Sequence, residues 1–471
     1  MEINSLQEDI KVKESSMLSD EKEDKSSETP CHDSECDHFI SNKPQLRDRK
    51  EEEHLERVCD SFRQYATFTR CTRAGQMARI SNLPPSQQKF FPRSMIFGSE
   101  EAKAREDIMQ EAELRNQFFF DCLLRHAGLP HSQDVMKSSQ NSSMNAARVK
   151  KKDIYISESQ IQWTTDETIE KVHSVLKSVA RDWSKEGATE RAMAYMPLMD
   201  GMNKYVPLSD EKIVRVLVPG AGVGRLALEL FSLGYEVQGN EFSLHMLLAS
   251  DFILNGCTAD KPYAISPWIT SSRNVCRSDD PARKVYVPDI DHTQASTMDL
   301  DNKTPELQPD FSMAAGEFVS IYSKPDQKGK WNAVVSCFFL DTAPCIVEYL
   351  EVMWHLLEDD GMLINFGPLH YHWSGPPFRP DDISFANYKL KNSHLDDRYL
   401  HSVDMTWEDI REVLWRVGFE VLEERLGVKS RYTADTRNFL NSDYRCIYFV
   451  AKKGTPKPHV DEDEQNTQTA D

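Results

Sequence analysis

The sequence predicts an α/β fold, a doubly wound sheet preceded by an N-terminal helical subdomain. Three observations carry this. After Ser209, short apolar runs alternate with helical periods. A glycine-rich turn, Gly220-Ala221-Gly222-Val223-Gly224, sits between the first such run and the helix that follows. Upstream of Trp183, apolar residues recur at three- and four-residue steps, the period of amphipathic helices.

Taken in order, residues 1–50 are rich in Ser, Glu, Asp and Lys and nearly devoid of aromatics, which predicts a disordered acidic tail. Cys31, His32, Cys36 and His38 fall within it. Their spacing matches no zinc finger and no apolar residues surround them, so no metal site is expected. Residues 51–185 read as the helical subdomain. Leu55, Val58, Phe62 and Tyr65 share one helical face, and Ile108, Ala112, Phe119 and Leu123 share another. Leu83-Pro84-Pro85 separates the two, and Pro130–Lys152 is a polar, Ser-rich loop. Ile161–Trp183 resumes a helix, with Val172, Val175, Leu176 and Val179 inward.

Residues 186–453 hold the sheet. Strands are expected at Ile213–Val218, Tyr235–Gln238, around Phe311, and at Trp331–Leu340, Met362–Phe366, Glu420–Glu424 and Cys446–Ala451. Helices are expected at Leu226–Leu233, Leu244–Leu254, Ile346–Leu357 and Trp407–Val417. Polar insertions are expected near 261–309, with a strand-like Lys284–Val287, and at 375–398. Residues 454–471 form a second disordered acidic tail.

Composition counts against several classes. The formal charge is −20, concentrated at the two ends, and an acidic body is a poor partner for nucleic acid. No apolar stretch approaches the roughly 18 residues of a membrane span. Met1–Asp20 lacks the apolar run of a secretory signal, and its acids go against a mitochondrial presequence. Ten sparse cysteines suit reduced thiols, so a cytoplasmic or nuclear setting is expected.

The glycine turn selects a nucleotide-like cofactor. A dinucleotide fingerprint needs a small residue at its third position, where this chain has Arg225. The spacing G-x-G-x-G is instead that of S-adenosylmethionine-dependent methyltransferases. Glu241 ends the second strand 17 residues after Gly224, placed to accept hydrogen bonds from both ribose hydroxyls. A generic α/β domain with a capping acid would show the same turn without the later motifs. Glu317 and Phe318 end the third strand, where an acid and a ring sit beside adenine; alone, that pair is commonplace.

Several segments together resemble the carnosine N-methyltransferase family. They are Leu217–Leu226, Gln238–Ser243, Cys337-Phe338-Phe339-Leu340-Asp341-Thr342-Ala343 and Asn365-Phe366-Gly367-Pro368-Leu369-His370-Tyr371-His372, with Leu83–Gln88 and Arg181-Asp182-Trp183-Ser184 upstream. The resemblance covers roughly Glu56–Lys452. It implies a seven-stranded, Rossmann-like class I methyltransferase domain. It implies that S-adenosylmethionine donates a methyl group to the imidazole of carnosine, or a related histidine-containing dipeptide, giving anserine. The cofactor contacts it implies fall on Ser178, Arg181, Gly220, Gly222, Glu241, Glu317, Phe318 and Cys337, with Arg181 on the methionine carboxylate. Ser178 stands where relatives have Gln, and Glu317 where they have Asp. The implied catalytic and substrate contacts are Asp341, His372 and Tyr444. The partner is then a small dipeptide, neither nucleic acid nor membrane, and a homodimer is left open.

Each of the last three residues also has a plain reading. Asp341 could cap a helix starting near Pro344, His372 could be an ordinary loop residue, and Tyr444 a strand aromatic. Three other functions compete: methylation of protein histidine or another small imidazole, a binding module that has lost catalysis, and nucleic-acid methylation. The last lacks its Asn-Pro-Pro-Tyr motif, replaced by Phe339-Leu340-Asp341-Thr342.

Overall fold

The computed structural model of the chain describes residues 43–132, 164–209, 211–291, 307–372, 374–395, 397–433 and 435–457. The Cys31–His38 motif and residues 133–152 of the predicted loop lie outside them. Two sheets form among the described residues. The strands are β1 (Arg215–Pro219), β2 (Glu236–Glu241), β3 (Tyr263–Ile265), β4 (Val285–Val287), β5 (Phe311–Ala315), β6 (Trp331–Cys337), β7 (Leu357–Gly367), β8 (Phe419–Arg431) and β9 (Asp443–Lys453). Seven make one sheet in the order β5-β2-β1-β6-β7-β9-β8, and β3 pairs with β4. The large sheet is parallel except for β9, which runs antiparallel to β7 and β8.

Strand order reverses between β1 and β6. That is the switch point at whose carboxyl ends open α/β sheets bind ligands. Val216, Leu217 and Val218 of β1 and Val334 and Val335 of β6 are all buried. Helices cover both faces, which is why these strands read as unbroken apolar runs.

The helices are α1 (Lys43–Arg63), α2 (Tyr65–Ser81), α3 (Glu100–His126), α4 (Asp166–Trp183), α5 (Ala188–Tyr205), α6 (Arg225–Ser232), α7 (Leu244–Gly256), α8 (Phe318–Tyr322), α9 (Ile346–Leu356), α10 (Phe385–Lys391) and α11 (Trp407–Val417), with shorter turns between them. Ser99 starts α3 by accepting from Ala102 N–H at 3.0 Å, and Thr165 starts α4 by accepting from Thr168 N–H at 3.2 Å. Thr406 and Asp409 form a reciprocal capping box on α11. Val172, Val175, Leu176 and Val179 of α4 are buried, the face that the periodicity predicts. They share one core with Phe62, Phe119 and Phe120 from α1 and α3, Phe252 of α7, and Val285 and Val287 of β4. The N-terminal helices therefore pack directly on the sheet domain. No described helix is long and apolar enough to cross a membrane.

Five expectations need correction. Helix α1 begins at Lys43, inside the predicted tail. At the other end, Lys457 N–H still reaches the Arg416 carbonyl at 2.7 Å, beyond the predicted start of the second tail. No helix is expected between Trp183 and Ser209, yet α5 fills it; Pro197 and a mixed polarity mask its buried face, Ala194, Leu198 and Met202. The segment near 261–309 is not simply a polar insertion, because Ile265, Trp268, Ile269, Val285 and Val287 are buried. The fourth strand ends at Cys337 rather than Leu340. Phe338 turns at φ 52° and its N–H donates to the Phe366 carbonyl at 2.8 Å.

Candidate active site

The site is built at the carboxyl ends of β1, β2, β6 and β7. Gly220, directly after β1, has φ 65°. A Cβ there would come within 2.5 Å of Phe339 Cδ2, so the position excludes a side chain both by conformation and by space. Gly222 N–H donates to Glu241 Oε2 at 2.9 Å. Phe242 and Ser243 N–H donate to Oε1 at 2.9 and 2.7 Å. Three backbone donors thus fix this carboxylate at the end of β2, while burial pushes its pKa above the usual glutamate range.

Arg181 lies on the last turn of α4, and Ser178 lies buried one turn earlier. The Arg181 guanidinium pairs with Asp182 through two bonds of 2.7 Å and lies over the Tyr432 ring at 4.3 Å. Tyr195 O–H also donates to Asp182 Oδ1, at 3.1 Å. Arg181, Tyr195, Gly220, Cys337 and Arg431 line one small cavity. Burial raises the Cys337 thiol to about 12, so it is a neutral wall there rather than a nucleophile. A far larger cavity, about 1190 Å³, lies between α2, the start of α3 and residues 269–281, and touches none of these residues. Size does not mark the site here; convergent polar groups do.

Glu317 and Phe318 are placed differently from the rest. Gly316 N–H donates to the Glu241 carbonyl at 2.9 Å, which brings this turn beside β2. Glu317 then caps α8, accepting from Val319 N–H at 3.1 Å and Ser320 N–H at 2.7 Å. The Phe318 ring is buried, with centroids 5.4 Å from Phe339 and 5.2 Å from Tyr349. That packing ties it into the core.

Asp341 is 2% exposed, in the 3-10 turn Leu340–Thr342 that follows β6. The cap of α9 is Cys345, so the helix-cap reading of Asp341 fails. Its Oδ2 accepts from His370 N–H at 2.8 Å, and its carbonyl from His372 N–H at 3.4 Å. The loop after β7 therefore wraps the Asp341 residue. Burial pushes the carboxyl up, opposed by the His370 N–H and by the histidines nearby. Around it stand rings: His370 to His372 at 5.5 Å, His370 to Tyr444 at 6.3 Å, Phe338 to Tyr444 at 5.8 Å and Phe338 to Tyr432 at 4.9 Å.

The fold thus brings Asp341, His372 and Tyr444 together, near Arg181, Gly220 and Cys337. Sequence reading misses Tyr432, Phe338, His370, Asp182 and Tyr195. Phe338, His370 and Asp182 lie inside the motif segments, one or two residues from chosen positions. Tyr432 follows the polar end of β8 and carries no such signal. Among the described residues, no cluster of His, Cys, Asp or Glu forms a metal site.

The family described as carnosine N-methyltransferase matches residues 158–455. The carnosine N-methyltransferase of Rattus norvegicus is 32% identical over 413 residues, 86% of this chain and 87% of that protein. That of Schizosaccharomyces pombe is 36% identical over 286 residues, 60% of this chain and 71% of that one. Among solved structures, magnesium protoporphyrin IX methyltransferase of Synechocystis PCC 6803 with bound SAH aligns at 14% identity and TM-score 0.31, over 61% of this chain and 100% of that one. With its seven-stranded sheet in class I order, the chain belongs to the carnosine N-methyltransferase family and is an S-adenosylmethionine-dependent N-methyltransferase.

Proposed function

We propose that this enzyme methylates an imidazole ring nitrogen of carnosine, giving anserine, or of a closely related histidine dipeptide. One observation carries the reading: a buried carboxylate, Asp341, held at the switch-point edge among His370, His372 and Tyr444. Family membership supplies the substrate class.

The cofactor's residues fit it. The close approach of Phe339 at Gly220 leaves a cradle without a side chain, Glu241 offers a fixed acceptor for ribose hydroxyls, and Arg181 offers charge for the methionine carboxylate. S-adenosylmethionine, when bound, supplies an electrophilic methyl group on a sulfonium. The protein's task is alignment, because in-line transfer gains most from holding the nucleophile in place. An imidazole titrates near 6.5, so most of the substrate presents a lone pair without a base. Asp341 accepts the N–H of one ring nitrogen and leaves the other bare. It then offsets the positive charge that the ring acquires. His372 and Tyr444 wall the ring and hold the dipeptide. A panel of histidine dipeptides, free histidine and histidine-bearing peptides tests this directly. Carnosine should be methylated with the highest kcat/KM; preference for a peptide chain would replace the reading with protein methylation.

Acidity should weaken the cofactor. Burial raises Glu241 in the free protein, whereas hydroxyls donating to the carboxylate favour its ionised form. Affinity is therefore full above the free-protein pKa and falls as pH drops through it, starting above the ordinary 4.5. Calorimetry across pH should show this fall in the wild type and not in Glu241→Gln. A flat wild-type profile would remove the ribose from Glu241.

A further inference from the structure

Arg225 occupies the position where a dinucleotide fingerprint needs a small residue, yet its side chain is 6% exposed and bonded through Nε and Nη1. It opens α6 immediately after Gly224 and points back toward the end of α4. Its Nη1 donates to the Asp182 carbonyl at 2.9 Å and to Asp289 Oδ1 at 2.7 Å, and its Nε to Glu229 at 2.8 Å. The guanidinium lies 5.1 Å from the Trp183 ring centroid. Asp289 Oδ2 accepts from Arg191 Nη2 at 2.7 Å. Arg191 Nη1 in turn donates to the carbonyls of Arg181 and Ser184, both at 2.7 Å.

One carboxylate, 7% exposed, thus joins two buried guanidiniums. Each guanidinium grips the backbone of the α4 terminus, the turn that carries Arg181 and Asp182. One of them also belongs to the helix that the glycine loop opens. Asp289 comes from the segment after β4, distant from both in sequence. Each guanidinium gives the carboxylate one bond and spends further donors on the α4 terminus, so the joint is directional as well as charged. Removing the carboxylate would leave two buried positive groups facing each other.

We propose that Asp289 is a positioning residue for the cofactor, fixing the glycine loop and the Arg181 turn in one register so that both can grip the same molecule. This rests on the reading that Gly220, Glu241 and Arg181 hold S-adenosylmethionine. Displacements of about 1 Å at a binding constellation can cost 10²-fold. The test compares Asp289→Asn, Asp289→Glu and Glu241→Ala in the full chain, with S-adenosylmethionine affinity by calorimetry and kinetics at saturating cofactor. Asp289→Asn should weaken the cofactor by about 10-fold or more, raising its KM while kcat and the acceptor KM change by less than about two-fold. Asp289→Glu, which restores the charge, should recover part of the loss.

A merely structural role would instead lower kcat with the folded fraction and leave cofactor KM unchanged. That result, or unchanged affinity in folded Asp289→Asn, overturns the proposal. If Asp289→Asn does not fold, Arg225→Lys decides by the same KM criterion, since it keeps the charge and loses the fork. Weakened binding in Glu241→Ala with normal binding in the Asp289 variant defeats only the positioning role. Normal binding in both defeats the site reading with it.

Discussion

Asp341→Asn is expected to lower methyl transfer by about three to four orders of magnitude while cofactor affinity stays nearly constant. The size follows from the loss of an orienting Asp beside a reacting imidazole, which reduces kcat about 10⁴-fold in the serine-protease triad. The substitution keeps volume, so the 2.8 Å bond from His370 N–H to the side-chain oxygen can persist. What changes is the other half of the group: an amide can present N–H where the ring N–H needs an acceptor. The wrong tautomer then faces the methyl group, and no negative charge offsets the developing imidazolium. Burial sharpens both effects, because Asp341 is 2% exposed and little water can substitute for it. The proposed cofactor contacts Glu241 and Arg181 are held by partners other than Asp341, so cofactor affinity should not register the change. Rate and affinity measured on the same preparation decide the matter. A full rate, or a parallel loss of cofactor affinity, would refute the orienting role.

Glu241→Ala is expected to weaken S-adenosylmethionine about 10-fold or more, the loss of a charged hydrogen-bonding partner. The carboxylate does two jobs that alanine cannot. It would accept from the ribose, and it already binds the N–H groups of Gly222, Phe242 and Ser243. Without it, these donors must find water in a confined turn, and the glycine loop loses its tie to β2. The Gly222 bond means that the loop itself should loosen, which hydrogen exchange at Gly222 would report. Unchanged calorimetric affinity in a folded variant would move the ribose elsewhere.

The parts legible in the sequence are those set by local constraints. A glycine loop needs positive φ and close approach, so Gly220 and its neighbours announce themselves within five residues. Glu241 is legible because a strand of fixed length places it opposite that loop. Asp341 and His372 each follow an apolar strand, β6 and β7, and strand ends can be read to within a few residues. Tyr432 is different. It reaches Phe338 and Arg181 only because β8 continues to Arg431, through polar edge positions that do not read as strand. Helix α5 hides behind Pro197, and Asp289 behind a segment whose polarity resembles a surface loop. Phe318 is a different case: a ring beside an acid reads as a ligand wall, and packing against Phe339 and Tyr349, which that reading does not foresee, also ties it into the core. For Tyr432, Asp289 and Phe318 the missing information was the pairing of distant segments.

The central claim is that a ring nitrogen of a histidine dipeptide attacks the methyl group under the direction of Asp341. The most direct measurement is NMR of carnosine after turnover with isotopically labelled S-adenosylmethionine. The methyl carbon should couple to the imidazole ring, identifying anserine, and Asp341→Asn should form labelled product about 10³- to 10⁴-fold more slowly. A methyl group on the dipeptide's amino nitrogen, or no transfer to carnosine by the wild-type enzyme, would contradict the account.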